Sequence, residues 1–100
     1  MKIQLKTEVK DVKTFAYVLH TIEVTEASIL DWLNLERLFI SPDWGISKWE
    51  EKMLRLDIAN YPSFKNVKEN SFNLEIDDCD NKVLEHLKEF LTENELSYEI

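Results

Sequence analysis

Between Phe72 and Leu91 the apolar residues change period, and few folds accommodate that change. Phe72, Leu74 and Ile76 alternate with Asn73, Glu75 and Asp77, the pattern of a half-buried strand. Val83, Leu84, Leu87, Phe90 and Leu91 then recur at the helical period, within one arc of about 120°. Asp80 is placed to cap that helix, and Leu96 to Ile100 reads as a short closing strand. Strand, helix and strand in this order predict a β-α-β unit, its strands parallel and its crossover right-handed.

Upstream, Ile3, Leu5 and Val9 alternate with Lys2, Gln4, Lys6, Glu8 and Lys10, which predicts a first strand. Residues 10–13 can turn the chain. Phe15 to Val24 fits two patterns, because Val12, Phe15, Leu19 and Ile22 also follow helical spacing; its aromatic and β-branched content favours a strand, and so a hairpin. Thr25 is placed to cap a helix running to about Phe39, with Val24 stapled onto Ile29. Ile29, Leu30, Trp32, Leu33, Leu35, Leu38 and Phe39 cover more than one face, which predicts that this is the central buried helix. After a Ser-Pro-Asp-Trp-Gly break at 41–45, Ser47 and Glu50 form a capping box for a helix to about Ala59. Residues 1–100 thus predict a single α+β domain: about four strands in a mostly antiparallel sheet, three helices packed on one face, and a closing β-α-β unit.

Much chemistry is excluded by what the chain lacks. Gly45 is its one glycine, too few for a P-loop, a dinucleotide fingerprint or a nucleophile elbow. Cys79 has no second cysteine to pair with, and it lies between Asp78 and Asp80, whose charge disfavours a thiolate. His20 lies in an apolar stretch and His86 at the edge of an apolar arc, where packing explains both. Asp78, Asp80 and Glu89 match three positions of a calcium loop, but Lys82 and Val83 stand where an oxygen ligand and a glycine are needed. No metal and no cofactor is expected. The longest apolar run, Phe15 to Leu19, is far short of the roughly 20 residues of a membrane span, and the start does not read as a signal peptide. A cytoplasmic protein without membrane association is expected.

Charge is the remaining lead. The net charge is -8, and residues 67–100, with three lysines against ten acids, carry -7 of it. Such a chain is unsuited to binding nucleic acid directly. Glu85, Glu89 and Glu93 recur every four residues, so their carboxylates form a stripe at intervals of about 6 Å. Like charges at that spacing disfavour the helix, as do Glu93 and Glu95 near its C-terminus. A solvated stripe kept for solubility is the bland alternative.

With Glu75, Asp77 and Asp78, the stripe makes a candidate partner-binding surface, and Trp44, in its turn, a candidate anchor. The expectation is a small acidic protein-binding module without catalytic activity. It would act as an inhibitor occluding the basic nucleic-acid-binding surface of another protein, in the manner of a nucleic-acid mimic. Phage anti-defence proteins, anti-CRISPRs among them, and toxin immunity proteins share that general character. One alternative is a structural component acting as a homodimer through a sheet edge or Trp44; another is a small enzyme using paired carboxylates.

Overall fold

The computed structural model describes residues 1–100 apart from Thr14, Pro42, Asp43 and Trp44, with the side chain of Val12 also left out. Trp44 and most of its turn therefore lie outside the described residues. Two eleven-residue strands, β1 (Lys2–Val12) and β2 (Phe15–Thr25), form the hairpin expected from the alternation of the first and the aromatic and β-branched content of the second. Helices α1 (Ile29–Phe39) and α2 (Lys48–Arg55) follow, then a short strand β3 (Ser63–Lys65), strand β4 (Phe72–Asp78) and helix α3 (Leu84–Glu93). The four strands pair in the order β1-β2-β4-β3, every neighbour antiparallel, in an α+β fold.

Register decides the two faces of this sheet. Ile3 opposes Val24, Leu5 opposes Ile22, and Ile22 and Val24 oppose Leu74 and Phe72. These side chains are buried beneath the helices, while Lys2, Gln4, Lys6, Glu23, Glu75 and Asp77 occupy the alternate positions and so the opposite face. The helices complete the core with Leu35, Leu38, Phe39, Trp49, Met53, Leu87, Phe90 and Leu91. Phe39, Trp49 and Phe90 touch one another with ring centroids 5.1 to 5.5 Å apart, which joins all three helices.

Five expectations need correction. The first helix begins at Ile29, not Thr25, because β2 continues through Thr25 and Glu26 turns the chain at φ 52°. Its cap is Ser28, which accepts from the Asp31 amide while the Asp31 carboxylate accepts from the Ser28 amide. Nor is α1 the central buried helix, for Ile29 and Leu30 are 78% and 74% exposed. The second helix ends at Arg55 rather than near Ala59, the chain turning at Asp57 with φ 56°, and its cap consists of Ser47 accepting from the Glu50 amide. Ser63–Lys65, which the proline before it hid, is a strand on the edge of the sheet. Finally, the closing segment does not lie beside β4: Glu99 makes a single parallel bridge to Gln4 of β1. It runs parallel to β4, but β2 and β1 lie between them.

Candidate functional site

Helix α3 is oriented by burial of Leu87, Phe90 and Leu91. Every fourth position on the far side carries a glutamate, so the stripe foreseen at Glu85, Glu89 and Glu93 faces solvent, with side-chain exposures of 81, 58 and 64%. The stripe is not bare. Lys52 of α2 reaches Glu89 at 3.2 Å and Glu93 at 4.0 Å, His86 lies 3.5 Å from Glu89, and Lys88 lies 3.5 Å from Glu85. The Lys52 ammonium, and after it His86, hold the Glu89 carboxyl below its ordinary range. Toward the C-terminal end the balance stays negative: the last turn has no basic residue, and Glu95 follows at once.

The other expected partner-binding residues are not brought to this face. Glu75 and Asp77 stand on the helix-free side of β4. Asp78 is buried and cannot meet a partner. Its Oδ1 accepts from the Lys82 amide at 2.8 Å and its Oδ2 from the Val83 amide at 2.9 Å, so Asp78, rather than Asp80, serves the amides leading into α3.

Asp78 Oδ2 also lies 2.8 Å from His20 Nε2, and His20 Nδ1 lies 2.9 Å from the Thr7 hydroxyl. A carboxylate only accepts, so the His20 Nε2–H donates to it, and in the neutral ring Nδ1 accepts from Thr7. Three strands and the lead into α3 are thereby connected through one polar line. The order hydroxyl, imidazole, carboxylate is that of a nucleophilic triad. Here, however, the imidazole is sealed from solvent and the carboxylate is already shared with two backbone amides, an arrangement that fixes structure. Sequence reasoning missed this line although its sign was present: His20 and Asp78 fall at inward positions of their strands, where the neighbouring inward positions are Ile22, Val24, Leu74 and Ile76.

A second buried polar link lies nearby. Trp49 Nε1–H donates to Asn60 Oδ1 at 3.0 Å, and the Asn60 amide donates to the Asp77 carbonyl. Asn60, Asp57, Asp77, Asp78 and Lys82 rim a depression of about 210 Å³ beside the α3 entry. Among the described residues, no group of three or more His, Cys, Asp or Glu is placed to hold a metal ion. No helix among them is long and apolar enough to cross a membrane. In comparisons with protein-family models, curated proteins and solved structures, none matches this chain.

Proposed function

We propose that this protein is a binding module without catalytic activity, and that the exposed α3 face covers a basic, nucleic-acid-binding surface of a partner protein. The supporting observation is the stripe itself. Glu85, Glu89, Glu93 and Glu95 present four carboxylates around α3 against two nearby ammonium groups, Lys52 and Lys88. Negative charge accumulates toward the helix C-terminus, where the macrodipole favours cations. A helix selected for stability alone has lysine or arginine in that turn, so the arrangement suits an external cationic surface. Glu75, Asp77 and Asp78 drop out of this site because they lie on the other face or in the interior.

The test is capture from cell extract with the wild-type chain and with the combined Glu85→Gln, Glu89→Gln and Glu93→Gln variant as baits. A partner released by moderate salt, lost with the triple variant and displaced from the bait by duplex DNA supports the proposal. Equal capture by both baits, unaffected by salt, overturns it.

A further inference from the structure

We infer that the outer edge of β1 pairs with the same edge of a second copy, so that two molecules share one continuous sheet centred on Val9. The open edge can be identified from hydrogen bonds. The Leu5 amide donates to the Glu99 carbonyl at 2.7 Å, and the Glu99 amide donates to the Ile3 carbonyl at 2.9 Å, so the odd residues of β1 direct their backbone groups away from β2. Thr7, Val9 and Asp11 have the same parity. The closing segment covers the edge only at residues 3–5, and among the described residues nothing pairs with the edge beyond them. This stretch belongs to an arm: β4 pairs with β2 only over Val18–Val24, while the hairpin runs on to Val12 and Phe15. Val9, 69% exposed, is an apolar residue left on it.

Long open edges invite pairing unless blocked, and lysine is a usual block. On β1, however, the charges alternate in sign, with Lys6, Glu8 and Lys10 on one face. Antiparallel pairing of two copies must match odd residues with odd ones, which leaves few registers. Centred on Val9, it sets Glu8 opposite the partner copy's Lys10 and Lys10 opposite its Glu8, with Thr7 facing Asp11. Glu8 and Lys10 occupy the non-hydrogen-bonded sites, where side chains come closest. Centred on Glu8, it sets glutamate against glutamate and Lys6 against Lys10; centred on Lys10, lysine against lysine. Centred on Thr7, it also pairs unlike charges, but it needs the Leu5 backbone that Glu99 already occupies. Among registers centred on residues 7–10, charge, hydrogen-bond parity and the occupied Leu5 backbone together select one. The two-fold axis then runs perpendicular to the sheet, and the helices of both copies share one side of it. The interface uses only residues of β1 and none of Glu85, Glu89, Glu93 or Lys52, so its failure and that of the proposed acidic site are separable.

Sedimentation equilibrium tests this with charge exchange. Wild type should dimerise reversibly. Glu8→Lys alone and Lys10→Glu alone should each weaken the dimer roughly tenfold or more, since both symmetric pairs become repulsive. Mixed together, the two variants should form a heterodimer, because every facing pair is again of opposite sign. Val9→Pro should abolish pairing while leaving the circular dichroism unchanged, for that amide serves no bond to β2. A wild type that stays monomeric at NMR concentrations overturns the inference, as does a dimer indifferent to both single exchanges or a mixture that fails to associate.

Discussion

His20 Nε2 lies 2.8 Å from Asp78 Oδ2 across 58 residues of sequence, and both side chains are shut away from solvent. The carboxylate also receives the amides of Lys82 and Val83, so it serves the hairpin and the approach to α3 at once. Removing it strands two buried donors, His20 Nε2–H and the Val83 amide, and the part-buried Lys82 amide. Asp78→Ala is therefore expected to cost about 3–5 kcal/mol, and Asp78→Asn less, because one amide oxygen still accepts. Urea unfolding checks this through the midpoint at constant slope. A cost of less than about 1 kcal/mol would show that the amides find water instead.

That junction also shows what the chain's pattern reveals and what it conceals. Period-two alternation places His20 and Asp78 on inward positions, but which strands are neighbours is decided by the sheet order, which no local pattern encodes. β1, β4 and α3 are legible because each has a strong period of its own, β2 through its aromatic and β-branched content, and the start of α2 through its Ser47 cap, though not its end at Arg55. The strand Ser63–Lys65 is too short to show one. The closing segment alternates like a strand, yet it finds its place on β1 rather than beside β4. For the candidate site, helical spacing places Glu85, Glu89 and Glu93 on one exposed face of α3, while Lys52 reaches Glu89 and Glu93 only through the packing of α2 on α3. Seen from composition alone, the acids of residues 67–100 form one group; the strand period of β4 divides them among two faces and the interior.

The start of α1 should respond to acid. Asp31 titrates below the ordinary carboxylate range, first because the Ser28 amide donates to its charged form and then because of the Ser28 hydroxyl. A folded value below the unfolded one stabilises the protein above the unfolded value, and that contribution is lost as pH falls through the folded value. The stability difference between wild type and Asp31→Asn should thus be present at neutral pH, begin to shrink only below about pH 4, and be lost as pH falls through the lower folded value. Urea midpoints across that range would sink the idea if the difference stayed constant. Ser28→Ala should cost about 1 kcal/mol at neutral pH.

The two halves of α1 should differ sharply. Leu35 is wholly buried, so Leu35→Ala is expected to lose about 2–5 kcal/mol. Ile29 and Leu30 project from the first turn, and Ile29→Gln with Leu30→Gln should change stability by no more than about 0.5 kcal/mol. Thermal unfolding compares the three. Equal losses at both ends would show that the first turn is covered in solution.

Lys52 offers the sharpest check on the α3 face, because it is the cation that joins Glu89 and Glu93. If the stripe attracts a basic surface, Lys52 competes with that surface for the same carboxylates. Lys52→Gln frees them and leaves the face one charge more negative, and the Glu89 carboxyl returns toward its ordinary range because the main cause of its lowering is gone. Stability should change little, since exposed ion pairs contribute little. The salt concentration that elutes a captured basic partner should rise with this variant and fall with the triple glutamine variant. Steering by the summed field gives the same order for the association rates. If Lys52→Gln instead weakens capture, the lysine touches the partner directly, and an acidic stripe meeting a basic surface is the wrong description of the contact.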